Sequence, residues 1–285
     1  MNKYYLMLFA ILFFYGCEQE IELDLPEAEE QLVVEGHIEN DRPPYLILTR
    51  SSEIFEPISL SDVEEFFVHG AKITVNDGSR TVELQEITID SAGLQVSVYT
   101  TFDMTGESGR TYTLTIEAEG KTLTATTTIP HLLPLDSVWY EPHPEPEADT
   151  LVRLMAQYSD PPETNDQVRY FTSRNGRNFW PAFNSVYEDV LINGMTVPVP
   201  IDRGLDRTNS VNWVVYPYFS RGDSIVLKWA SIDRPHFDFW QGLEFQVSNS
   251  GNPFGNITRI NGNIVGGLGI WGGYGALYYT VVVPE

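Results

Sequence analysis

Short runs of alternating apolar and polar residues, each closed by turn residues, constrain this chain more than any other feature. Tyr112-Thr113-Leu114-Thr115-Ile116-Glu117-Ala118 turns at Glu119-Gly120 into Leu123-Thr124-Ala125-Thr126-Thr127. Successive side chains of a strand point to opposite faces, so a period of two fits a strand with one face buried. The same reading covers Leu32–Ile38, Tyr45–Thr49 and Leu94–Tyr99. Ala71–Val75 and Arg80–Leu84 flank Asn76-Asp77-Gly78-Ser79, whose Asp-Gly step is a hairpin signal. About seven such strands at roughly 8–12-residue spacing, with no helical period, predict an immunoglobulin- or fibronectin-like β-sandwich over residues 31–130. The fold class is all-β.

Ile129-Pro130-His131-Leu132-Leu133-Pro134 interrupts the pattern, and the composition changes beyond it. All six tryptophans follow this break, which predicts a second, aromatic-rich β domain over 131–285. Ser137–Tyr140, Leu151–Ala156, Val168–Thr172 and Ser224–Trp229 read as strands separated by loops rich in Pro, Asn and Asp. Phe237, Trp240, Leu243 and Val247 are spaced for a short amphipathic helix over Pro235–Val247. Gly262, Gly266, Gly267, Gly269, Gly272, Gly273 and Gly275 punctuate the last segment. No following helix or lysine supports a phosphate-cradling loop there, so these glycines read as close backbone approach in a final strand.

The N-terminus places it at a membrane. Lys3, the apolar run Tyr4–Tyr15 and Gly16-Cys17 have the layout of a secretory signal peptide over residues 1–16. The run is too short for a bilayer span, which takes roughly 20 apolar residues. The only cysteine follows that run directly, as in a bacterial lipoprotein lipobox, so Cys17 is the expected site of lipidation. Several acyl chains would anchor the mature chain stably. Residues 17–30 read as an acidic tether. With 40 acidic against 17 basic residues the net charge is −23, which excludes a nucleic-acid surface and electrostatic docking on anionic lipid. A lone cysteine also excludes an intrachain disulfide framework.

Catalytic motifs are missing. His37, His69, His131, His143 and His236 show no HExxH-type pairing, there is no GxSxG elbow, and no cofactor is implied, so an enzyme is not expected. Asp160, Glu163 and Asp166 form a hard-oxygen cluster in one loop, a weak Ca²⁺ candidate without EF-hand spacing; a solvated loop is the competing account, and no metal is assigned. The aromatics are more suggestive. Dense clusters around Trp180, Trp213, Tyr216, Tyr218 and Trp240 cannot all face one core, which makes these residues candidates for holding a ligand or a protein partner.

Several segments together carry a family resemblance: Cys17, Leu32-Val33-Val34-Glu35-Gly36, Tyr112–Ile116 with Thr128-Ile129-Pro130, Leu135–Val138, Asn252-Pro253-Phe254, and Gly262–Gly269. Their order resembles the Bacteroidetes outer-membrane lipoproteins grouped as domain of unknown function 4249. The acidic stretch after Cys17 resembles the export signal that places such lipoproteins on the cell surface. The resemblance implies an accessory, ligand-capturing subunit of a TonB-dependent receptor, with that receptor as partner and no established reaction. The alternatives are a free-standing glycan- or peptide-binding lipoprotein, a structural subunit of an envelope complex, or a hydrolase with acidic catalytic residues.

Overall fold

The computed structural model describes residues 29–52, 63–91, 94–190, 193–206, 210–249 and 259–285. The expected signal peptide, Cys17, most of the acidic tether and Asn252–Phe254 lie outside the described residues. Among the described residues, fifteen strands and one α-helix carry the fold. The strands are β1 (Leu32–Glu39), β2 (Tyr45–Arg50), β3 (Lys72–Asn76), β4 (Thr81–Ser91), β5 (Leu94–Thr100), β6 (Thr111–Ala118) and β7 (Lys121–Thr128) in the first half. The second half adds β8 (Ser137–Pro142), β9 (Leu151–Ser159), β10 (Gln167–Arg174), β11 (Trp180–Glu188), β12 (Thr196–Ile201), β13 (Phe219–Ser220), β14 (Ser224–Ile232) and β15 (Leu268–Val282). Helix α1 spans Arg234–Ser248.

Period-two burial drives the strands together. In β6, Tyr112, Leu114, Ile116 and Ala118 are buried, and the threonines between them are not. The Glu119-Gly120 turn holds two residues with positive φ, 53° and 73°, which matches the twist of a two-residue hairpin and pairs Ala118 with Lys121. Strand β4 changes layer along its length: Thr81–Leu84 pair with β3, and Gln85–Ser91 pair with β5. The β1-β2-β5 layer thus faces the β3-β6-β7 layer across a core that includes Leu32, Ile38, Leu48, Ile73, Tyr112 and Leu123.

A second core lies beyond residue 130. Val152, Leu154 and Ala156 of β9 and Phe219 of β13 pack on Tyr170 of β10 and Ile225 and Leu227 of β14. The change of core thus coincides with the change of composition, but residues 31–285 form one compact unit. The reason is β15. Its first half pairs in parallel with β1, from Val33↔Leu268 to Glu39↔Tyr274, and its second half pairs antiparallel with β14. The resulting eleven-stranded sheet runs β11-β10-β14-β15-β1-β2-β5-β4-β3-β6-β7. The segment after residue 128 is fixed as well: Ile129 is buried in the first core, and Leu133 and Leu135 in the second.

Helix α1 forms where the apolar spacing places it. The Asp233 carboxylate caps it by accepting from the His236 N–H at 3.1 Å, and Pro235 occupies the first turn. Asp233 also accepts from the Thr127 hydroxyl at 2.7 Å, which ties the helix start to β7. Phe237 is fully buried against Ala230, Ile232, Tyr274 and Ala276, on the face of the large sheet opposite the second core.

Candidate functional site

Strand periodicity alone lays out the most elaborate polar site. On β1, Val34 and Ile38 face the first core, so Glu35, His37 and Glu39 face the other way. On β14, Ile225, Leu227 and Trp229 face the second core and Lys228 lies opposite; on β10, Arg169 and Phe171 lie opposite Val168 and Tyr170. Register then brings these residues side by side: Glu35↔Ile270, His37↔Gly272, Glu39↔Tyr274, Lys228↔Tyr278, Phe171↔Lys228. Helix α1 covers this face with His236, Trp240, Leu243 and Glu244, enclosing a recess of about 540 Å³. A side chain at position 272 would put its Cβ 2.2 Å from the His236 ring, so glycine there is what lets the helix lie on the strand.

The charges in the recess are unevenly matched. Lys228 pairs with Glu39, which also accepts from the Tyr278 hydroxyl and from Arg42 Nε at 3.0 Å. Arg169 is buried, and among the described residues no carboxylate lies within ion-pair reach of it. Its Nη1 donates to the Tyr274 hydroxyl at 2.9 Å and its Nε to Ser185 Oγ at 3.4 Å. The guanidinium lies 3.5 Å from the centroid of the Trp240 ring and 4.7 Å from that of Phe171. Glu244 is engaged elsewhere, accepting from Ser185 N at 3.0 Å.

Burial raises the carboxyls of Glu35 and Glu244, with Arg169 opposing in both and Ser185 also opposing in Glu244. Glu35 and His37 border the open space of the recess while protein surrounds them otherwise. Burial, followed by the charges of Lys228 and Arg169, lowers His37 to about 3, and His236 is likewise held well below the usual histidine range. Both imidazoles are therefore neutral near pH 7. Nδ1 of His236 and Nε1 of Trp240 are buried without hydrogen-bond partners.

The structure separates the five aromatics singled out above. Trp180 and Trp240 line the recess. Trp213 is 58% exposed and meets Phe183 and Tyr216 edge-on at 5.7 and 5.6 Å, while Tyr216 accepts from the Phe183 N–H at 2.9 Å. Tyr218 packs on His143 with ring centroids 4.2 Å apart. Sequence reasoning missed Arg169, Lys228 and the pair His37 and His236. Their signal was present as polar residues in alternation with apolar ones, which reads as a solvent face unless something is known to cover it. Of the calcium candidates, Asp160 and Asp166 come together with Asp189, whereas Glu163 is exposed.

Residues 18–278 match the family model described as Domain of unknown function (DUF4249). No curated protein matches the chain. Among the described residues, no helix is long and apolar enough to cross a membrane.

Proposed function

The chain belongs to the DUF4249 family, and from that premise we propose that it is an outer-membrane lipoprotein, anchored through Cys17, that captures a small anionic ligand for a TonB-dependent receptor. The observation that carries ligand capture is Arg169: a buried guanidinium with no carboxylate in ion-pair contact among the described residues, Glu35 and Glu244 acting on it only at longer range, at the edge of a recess of small-molecule size. Leaving a buried charge unpaired is costly, and a carboxylate or phosphate on the ligand would supply the missing partner through a charge-assisted, fork-shaped contact. Trp240, Phe171 and Tyr274 offer flat apolar walls for the rest of the ligand. The anchor rests on the lipobox, and the receptor partner on the family resemblance.

Two measurements test this reading. The native lipoprotein is captured from detergent-solubilised outer membranes and its co-purifying proteins are quantified; a TonB-dependent receptor at near-equal stoichiometry is expected. Recovery of the lipoprotein alone under gentle conditions would refute the accessory role. Small aromatic carboxylates and phosphates are then titrated against tryptophan fluorescence. The signal from Trp240 should respond to an anionic compound and lose at least about tenfold in affinity in Arg169→Gln, since truncating one side of a buried charge contact costs 2 kcal/mol or more, roughly. Equal response to neutral and anionic compounds would exclude the anion-capture reading.

A further inference from the structure

A second polar site lies away from the recess, where three strand ends meet. Asp160 follows β9, Asp166 precedes β10 and Asp189 follows β11. The antiparallel pairing of β10 with β11, Gln167↔Glu188, brings Asp189 beside Asp166, and the Asp166 N–H donates to Asp189 Oδ2 at 2.7 Å. The three residues are 6%, 8% and 3% exposed, and each offers a carboxylate oxygen within 4.8 Å of those of the other two.

Each of the first two carboxylates is oriented by donors outside the cluster. Asp160 accepts from the Tyr158 hydroxyl at 2.7 Å and the Gly194 N–H at 3.0 Å, and Asp166 accepts from the Thr164 hydroxyl at 2.6 Å. Asp189 differs: its Oδ1 is buried and has no hydrogen-bond partner. The only cation-forming side chain within ion-pair reach of the three, among the described residues, is His131, half exposed, with Nε2 3.5 Å from Asp166 Oδ1. One imidazole cannot balance three buried carboxylates, and an orphaned carboxylate oxygen is among the most costly groups to bury.

We propose that Asp160, Asp166 and Asp189 bind a Ca²⁺ ion that joins the ends of β9, β10 and β11. The donors are all oxygen, which selects a hard cation over zinc or copper. Three carboxylate oxygens within 4.8 Å of one another can share one ion at the roughly 2.3–2.6 Å of Ca²⁺–oxygen bonds, and a cage built from protein carboxylates suits Ca²⁺ better than Mg²⁺, which dehydrates reluctantly and keeps several waters. The hydrogen bonds from Tyr158, Gly194 and Thr164 hold the ligands as outer partners do in metal sites. Asp166 and Asp189 also line a cavity of about 370 Å³, which gives an ion a way in. This site is independent of the recess and of the proposed ligand.

The test uses the full-length chain, stripped with EDTA and desalted, and its Asp189→Asn variant. Calorimetric titration with CaCl₂ should give one site that Asp189→Asn weakens at least tenfold. At a Ca²⁺ concentration of about a hundred times Kd, Tm should rise by about 5–10 °C. In chelator, Asp189→Asn should melt at or above the wild type, because it removes one of three repelling charges; in Ca²⁺ it should melt below it. That crossing separates a metal site from a structural one. Tb³⁺ gives a direct readout, because Tyr158 and Trp229, with ring centroids 5.8 Å apart, stand beside the site as antennae. Its sensitised emission should be displaced by Ca²⁺ and absent in Asp189→Asn. Tm unchanged by Ca²⁺, Tb³⁺ emission equal in the variant, or Mg²⁺ bound as tightly as Ca²⁺ would each overturn the proposal.

Discussion

The pair Lys228 and Glu39 decides whether the recess is a dry, desolvated site, and a double-mutant cycle can measure it. Both residues are under a tenth exposed, yet their surroundings are unequal. Glu39 keeps Arg42 at 3.0 Å and the Tyr278 hydroxyl if Lys228 is lost, so Lys228→Met should cost only about 1–2 kcal/mol. Glu39→Gln leaves Lys228 over the faces of Tyr274 and Phe171, at 4.5 and 5.1 Å, with no acid beside it. Breaking a buried pair from one side costs about 3–5 kcal/mol. Proton release sets a ceiling: an ordinary lysine titrates about 3.4 units above pH 7, so escape to the neutral amine costs at most about 4.6 kcal/mol. Burial already lowers the lysine, with Glu39 opposing, so that escape is open. The double variant removes both charges and frees the exposed Arg42 to solvent, and it should cost less than Glu39→Gln alone. Urea unfolding of the four proteins at pH 7 should therefore show strong coupling. As pH rises toward 10, Glu39→Gln should recover stability, because a lysine with a depressed folded pKa is destabilising only while the unfolded chain still binds the proton. Additive single costs with no pH dependence would mean that water solvates the pair and that the recess is an open groove.

Two further outcomes test the framework around that site. Gly272→Ala forces a Cβ to within 2.2 Å of the His236 ring and should cost more than about 2 kcal/mol, chiefly by lifting α1; unfolding curves with altered Trp240 emission would show it, and an unchanged midpoint would contradict the close approach. Burial pushes the Glu86 carboxyl up, but the Gly70 N–H, the Ser97 hydroxyl and His69 outweigh it and bring the group to about 2. A depressed folded carboxylate stabilises above its unfolded value and loses that contribution as pH falls from about 4.5 to 2. The loss should be about 1–2 kcal/mol once the exposure of His69 is allowed for, and Glu86→Gln should remove it from the acid unfolding profile.

Much of the fold could be read locally, because strands and tight turns are local objects. The hairpin at Asp77-Gly78 and the turn at Glu119-Gly120 depend on neighbouring residues, and α1 depends on Asp233, Pro235 and one apolar stripe. What could not be read locally was the join between halves. Leu268–Tyr274 pair with a strand more than 200 residues earlier, and nothing in the glycine-rich sequence names that partner. The glycines do say that something approaches closely. At Gly269, φ is +104° and a Cβ would lie 1.9 Å from the Val34 carbonyl, so the composition recorded the contact without identifying what makes it.

The two candidate sites were hidden for the same reason, from opposite directions. Glu35, His37 and Glu39 alternate with buried residues, and such a pattern ordinarily means that water covers the polar face; here α1, from the far end of the chain, covers it. In the acidic loop, proximity in sequence pointed to Glu163, yet strand pairing replaces it with Asp189, which sits one residue past β11 and across from Asp166. Polar residues near one another in sequence are common in solvated loops and carry little information. Polar residues far apart in sequence that converge out of water must be held there against their hydration. The buried guanidinium of Arg169, which has no carboxylate in ion-pair contact among the described residues, and the unpartnered Oδ1 of Asp189 both meet that condition, and each has room for a partner of opposite charge.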